Sequence, residues 1–202
     1  MRLTFPPLKY FNLPNLLTSL AVCLSFLALV LLLKGQPHLA LTIYPLTLGL
    51  DFIDGIVARK LGQSSPFGES FDTVADCFNF VVTPAGIALL LGFDSWPAVA
   101  FLLLYLMAGF WRIVYYTLVG TQREVPGKPY FIGIPTPPGA AWFYAFLTLS
   151  LALGTFLPLF VYIPVVSVVM ISGLKYPKFG IVSLAGAAFV PLAMIANWFV
   201  IP

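Results

Sequence analysis

Apolar residues fill this chain in runs of about twenty, separated by short breaks rich in proline, glycine and charge. A helix of that length matches the hydrocarbon thickness of a bilayer. Seven such runs can be marked, at about 15–34, 38–59, 69–92, 96–120, 136–154, 156–174 and 180–200. The fifth and sixth are divided only near Gly154 and Pro158. The pattern predicts an all-α integral membrane protein, a bundle of about seven transmembrane helices forming a single membrane domain over residues 1–202. The stretch from Pro126 to Gly139 is too rich in proline to be helical and predicts a loop.

Composition excludes the soluble alternative. Only 8% of the residues are charged and 60% are hydrophobic, with a mean hydropathy of +1.00. A water-solvated domain carries roughly 25% charged residues. The first run is too long for a signal-peptide core, and Lys34-Gly35-Gln36-Pro37 follows it in place of a small-residue cleavage site, so it is expected to stay as a spanning helix. Cys23 and Cys77 fall in different runs and outside any CxxC motif, so both read as small apolar fillers.

Basic residues set an orientation. With a cytoplasmic N-terminus, Arg2, Lys9, Arg59, Lys60, Arg123, Lys128, Lys175 and Lys178 fall on the cytoplasmic side and Lys34 on the other, while Arg112 lies within a run. That asymmetry predicts a protein of the cell inner membrane. It also accounts for the net charge of +3 without nucleic acid, since the excess lies beside anionic membrane lipids.

The acidic residues are distributed quite differently. Five of the seven lie between Asp51 and Asp76. Asp51, Asp54, Gly55 and Ala58 share one helical face, and Asp72 and Asp76 share a face of the next helix. Asp51 precedes Lys60 by about 13 Å of helix and Asp76 follows Gly68 by about 12 Å, so an antiparallel pair brings four carboxylates to one shallow depth. Each would cost about 2.5–3.5 kcal/mol in mid-membrane, and together they repel. Divalent cations resolve both problems. An all-oxygen donor set favours Mg²⁺, Mn²⁺ or Ca²⁺, and four carboxylates suit a two-metal site. Gly55 and Ala58 allow close approach to the helix, and an anion needing both metal and Arg59 reads as a phosphate or pyrophosphate.

The resulting pattern is DxxDGxxAR, eight residues, then GxxxDxxxD, carried by Asp51, Asp54, Gly55, Ala58, Arg59, Gly68, Asp72 and Asp76. It resembles the CDP-alcohol phosphotransferase family. The resemblance implies transfer of a phosphoalcohol group from a CDP-linked lipid, such as CDP-diacylglycerol, to a hydroxyl acceptor, with CMP leaving. It implies that the four aspartates bind Mg²⁺ or Mn²⁺, that Asp76 also acts as general base, and that Gly55, Ala58, Arg59, Ser65 and Gly68 meet the CDP-lipid. The opening LPNLLT adds Asn15 and Thr18 as candidates for the cytidine end. The active site would sit on the second and third helices and face the cytoplasm. A homodimer is implied as well.

Three further stretches resemble the phosphatidylserine synthase branch of that family: the segment after Gly68 through Pro84-Ala85, the loop YFIGIPTPPGAAW and the segment VVMISGLKYPKFG. They imply L-serine as acceptor. The branch's Arg-Leu-Ala-Arg-Phe-Asn run reads here Arg112-Ile113-Val114-Tyr115-Tyr116-Thr117, which keeps the first arginine and lacks the second and the asparagine. Arg112 is too deep to snorkel and is expected to face the active cavity, binding donor phosphate or acceptor carboxylate. Lys175 and Tyr176 are further acceptor-binding candidates. An inositol phosphate, a glycerol phosphate or another amino alcohol is the alternative acceptor, and a cation transporter the alternative from another class. Trp111, Tyr115, Tyr116, Trp142 and Tyr144 read as interfacial anchors, and His38 as a solvated residue on the far surface. Gly180, Ser183, Gly186 and Ala187 form a small-residue stripe for helix packing.

Overall fold

In the computed structural model the described residues are 6–123, 129–177 and 181–200. Nine α-helices are described: α1 (Leu13–Leu33), α2 (Pro37–Ile43), α3 (Leu46–Lys60), α4 (Pro66–Asp76), α5 (Thr83–Leu90), α6 (Trp96–Val119), α7 (Thr136–Leu153), α8 (Leu157–Ile171) and α9 (Ile181–Val200). A π-helical segment, Cys77–Val82, joins α4 to α5. The protein is an all-α membrane protein. Among the described residues, four stretches are long and apolar enough to cross a bilayer: Leu13–Leu33, Pro37–Lys60, Pro66–Leu90 and Trp96–Val119. Large apolar side chains such as Trp111, Leu118 and Phe199 project outward, as expected where lipid replaces water as the solvent.

Local chemistry explains the helix ends. Asn12 caps α1 by accepting the Asn15 N–H at 2.9 Å, and Gly35, in the left-handed region, follows its last turn. Pro137 and Pro138 sit in the first turn of α7, where the backbone N–H has no intrahelical partner. Thr136 to Gly139 are therefore helical, against the expectation of a loop. Gly154 closes α7 with φ of 62°.

Proline inside a span is harder to accommodate, because the carbonyl one turn earlier loses its donor and no water replaces it. The second run is broken at Tyr44-Pro45, between α2 and α3. Pro45 cannot donate to the Leu41 carbonyl, and the buried Tyr144 hydroxyl of α7 donates to it instead. Asn197 of α9 in turn donates to the Tyr144 oxygen at 2.9 Å and to Thr148 Oγ1 at 3.1 Å. Tyr144 is thus a fully buried polar link among three helices and not an interfacial anchor. His38 is also not a solvated surface residue: it is half-buried and stacks on Trp198 with ring centroids 5.1 Å apart. Trp142 packs on Phe189, and a side chain at Gly186 would meet the Trp142 ring at 3.0 Å. Gly180 and the side chains of Ser183 and Ala187 lie outside the described residues.

A small antiparallel sheet, absent from the sequence reading, joins two interhelical connections. Strands β1 (Gln122–Arg123), β2 (Pro129–Ile132) and β3 (Lys175–Pro177) run in that spatial order, with Phe131 opposite Tyr176. Gly133 ends β2 with φ of 73°, and its N–H donates to the Leu174 carbonyl at 2.7 Å. A Cβ there would collide with the Met170 carbonyl, so both conformation and space require glycine.

Tyr144→Phe removes the hydroxyl that satisfies Leu41 while keeping the ring. The expected cost is about 1–3 kcal/mol, the penalty for an unpaired buried acceptor. Thermal unfolding of the purified protein in detergent should show a midpoint lowered by several degrees. An unchanged midpoint would mean that the Leu41 carbonyl finds another donor.

Candidate active site

The acidic motif is built by a helix, a tight reversal and a capped helix. Arg59 and Lys60 end α3, Gly62 turns the chain with φ of 62°, and Ser65 caps α4 by accepting the Gly68 N–H at 3.1 Å. Carboxylate oxygens of Asp51, Asp72 and Asp76 lie within 4.8 Å of one another. The Oδ1 atom of Asp76 is buried and has no hydrogen-bond partner. An orphaned buried carboxylate oxygen beside two further carboxylates is unfavourable unless a cation occupies the space between them. The all-oxygen donor set fits a hard divalent ion.

Asp54 stands apart from that triad. It is buried, and its Oδ2 accepts a hydrogen bond of 2.6 Å from Thr18 Oγ1 of α1. The Asp54 carboxylate and Thr18 line a cavity of about 290 Å³ together with Asn15, Gly55, Ala58, Arg59, Ser65, Gly68 and Asp72. All the residues expected from the sequence to meet a CDP-lipid therefore surround one space. Their small size has a local reason. A Cβ at Gly68 would lie 3.1 Å from Asn15 Oδ1, and one at Gly55 would lie 3.4 Å from Arg59 Nη1. The two glycines leave room for α1 to approach α4 and for the guanidinium to fold back over its own helix. Gln63, Ser64 and Glu69 also line this cavity. Sequence reasoning passed over them because polar residues in an interhelical turn look like ordinary solvated loop.

A second cavity, of about 230 Å³, opens on the other side of Asp72. Asp72 and Asp76 of α4 and Arg112, Tyr116 and Thr117 of α6 line it, together with Phe131 and Thr136. Arg112 is buried, 4% exposed, and its Nε has no hydrogen-bond partner. Its guanidinium lies over the Tyr116 ring, 5.4 Å from the centroid. Tyr116, expected at the membrane interface, is exposed and also lines this cavity. The signal was available, since Tyr116 lies four residues after Arg112 and so shares its face. Trp111 and Tyr115 are exposed, consistent with the anchor reading. Lys175 and Tyr176, in β3, line neither cavity; Lys175 Nζ lies 5.2 Å from the Tyr130 ring centroid.

Comparison with known proteins bears on the identity of these cavities. Residues 11–200 match the family model described as CDP-alcohol phosphatidyltransferase. The chain is 33% identical over 146 residues to the CDP-diacylglycerol–serine O-phosphatidyltransferase of Mycobacterium tuberculosis, covering 70% of this chain and 51% of that protein. It is 30% identical over 159 residues to the enzyme of the same name from Bacillus subtilis, covering 77% and 84%. The Saccharomyces cerevisiae enzyme of that name is 34% identical over 145 residues, covering 67% and 47%. The chain thus spans about half the length of the mycobacterial and yeast relatives and most of the Bacillus one. A match over nearly the whole chain shows that it belongs to the CDP-alcohol phosphatidyltransferase family.

Proposed function

We propose that this protein transfers a phosphatidyl group from CDP-diacylglycerol to the hydroxyl of L-serine and releases CMP. The observation that carries the reading is the pair of cavities that share Asp72. One is lined by the glycine, arginine and serine positions of the motif, and the other by two aspartates facing a buried arginine. The names of the relatives support serine as acceptor.

On this reading Asn15 and Thr18 border the nucleotide end of the donor, and Gly55 and Ala58 let the pyrophosphate lie close to α3. Arg59 supplies a forked donor for its oxygens. Asp51, Asp72 and Asp76, with Asp54 as the fourth carboxylate of the motif, would hold Mg²⁺ or Mn²⁺. When bound, such ions supply charge neutralisation for the pyrophosphate and the departing CMP. The acceptor occupies the second cavity with its carboxylate on Arg112 and its hydroxyl towards Asp76. Asp76 accepts the hydroxyl proton as the serine oxygen bonds to the lipid-side phosphorus, and the bond from that phosphorus to CMP breaks. Catalysis then rests on positioning and charge, as phosphoryl-type transfers require.

Arg112 is the cation among the described residues of the acceptor cavity. A single buried guanidinium suits one carboxylate better than a phosphate, which calls for several basic groups. The positive-inside asymmetry supports seven spans, with both cavities opening to the cytoplasm and Pro202 on the far side. Assembly as a homodimer follows from the resemblance.

Replacing Asp51, Asp72 or Asp76 with Asn should lower CMP release by roughly 10²–10⁴-fold, and EDTA should silence the wild-type protein until Mg²⁺ or Mn²⁺ is restored. Wild-type-like rates in any two of these variants would sink the metal mechanism. CMP release should be supported by L-serine over ethanolamine, glycerol 3-phosphate and inositol phosphate. Arg112→Lys should raise the apparent KM for serine about tenfold, because a point charge cannot reproduce the guanidinium fork. Turnover with one of the other acceptors and none with serine would reject the acceptor assignment. A reporter fused after Pro202 should be active only outside the cytoplasm; cytoplasmic activity would require an even number of spans.

A further inference from the structure

The segment directly after Asp76 has backbone chemistry that the transfer reaction does not itself explain. Residues Cys77–Val82 are π-helical, and Pro84 follows within the same span. In an α-helix the Pro84 nitrogen would face the Phe80 carbonyl, and in a π-helix the Asn79 carbonyl. Proline can donate to neither. Both carbonyls nevertheless have donors, and both donors are tyrosines from other helices. Tyr105 of α6 donates to the Phe80 carbonyl at 2.8 Å, and Tyr44, at the break between α2 and α3, donates to the Asn79 carbonyl at 3.1 Å. Both tyrosines are fully buried. Gly109 brings α6 against this segment, since a Cβ there would lie 2.6 Å from Val81 Cγ1.

The position of the two tyrosines connects this clasp to the site. Tyr44 lies two residues before the start of α3, which carries Asp51, and Tyr105 precedes Arg112 by seven residues within α6. Seven residues are close to two turns, so Tyr105 shares a face with Arg112 about 10 Å along α6. The carbonyls they hold lie three and four residues beyond Asp76. A single hydrogen-bonded knot therefore ties together the helices that carry Asp51, Asp76 and Arg112. An extra residue in a helical turn rotates everything before it relative to everything after it. The π segment thus sets which way Asp72 and Asp76 face while α5 packs in the core.

From this geometry we infer that Tyr44 and Tyr105 are positioning residues, whose hydroxyls hold the π segment and thereby keep Asp76 in register with Asp51 and across the cavity from Arg112. The inference rests on the transferase reading for its consequence in turnover. Its structural content can be tested separately.

Tyr44→Phe and Tyr105→Phe, made singly, keep each ring and remove one donor. Tyr144→Phe is the matched control, because it removes the same kind of bond, from a tyrosine hydroxyl to a proline-freed carbonyl, at Leu41. Free Mn²⁺ measured by electron paramagnetic resonance on purified protein should show about tenfold weaker binding in the first two variants and none of that loss in Tyr144→Phe. In CMP-release assays kcat should fall while the KM for CDP-diacylglycerol stays within twofold. Amide hydrogen exchange across residues 77–90 should be at least tenfold faster in Tyr44→Phe and Tyr105→Phe than in wild type. Unchanged exchange and Mn²⁺ affinity in both variants, or an equal loss of Mn²⁺ affinity in Tyr144→Phe, would overturn the inference. If the wild-type protein binds no Mn²⁺, the metal reading fails, and the exchange measurement alone decides the clasp.

Discussion

A backbone carbonyl that loses its N–H inside hydrocarbon must find a donor within the protein, because no water is there to serve. Much of this bundle's arrangement follows from that constraint. Pro45 and Pro84 each remove a donor in mid-span, and each freed carbonyl is met by a tyrosine hydroxyl from a helix distant in sequence. A tyrosine can do this because its ring is apolar enough for the core and its hydroxyl is carried at the tip. The bonds are directional, so they fix rotation and depth as well as proximity. Generic apolar packing between smooth helices would leave both loosely specified. The spans broken at Pro45 and Pro84 are in this way tied to their neighbours.

The same requirement applies to charge, with a different outcome. Asp54 is satisfied by Thr18, a partner supplied by the protein itself. Asp76 leaves an oxygen with no donor, and Arg112 leaves its Nε without an acceptor. The residues that carry these two unmet atoms line one cavity. That cavity is large enough for something else to complete them.

How much of this the sequence disclosed depended on how local each signal was. The aspartate motif was legible because its members are three or four residues apart on consecutive helices, so spacing alone placed them on facing surfaces. The tyrosine bonds were not legible: Tyr144 and Leu41 are 103 residues apart, and a Tyr in an apolar run looks the same whether it meets lipid or a carbonyl. Pro84 announced a missing donor but not its replacement. The three-stranded sheet was hidden for a related reason, since β2 and β3 are brought together by two intervening helices and neither strand has more than four residues. The separation of Asp54 from the other carboxylates turned on Thr18, whose hydroxyl meets both the Pro14 carbonyl of its own helix and the Asp54 carboxylate, and only the first is a local contact.

Asp72 belongs to the walls of both cavities. Two ligands that share one charged group cannot bind as strangers. Whatever free energy the occupant of one cavity gains or loses through that carboxylate changes the affinity of the other cavity, and thermodynamic reciprocity makes the factor the same in both directions. The partition between the two spaces is therefore also a coupling element. The affinity measured for either substrate alone would describe a different protein from the one that holds both.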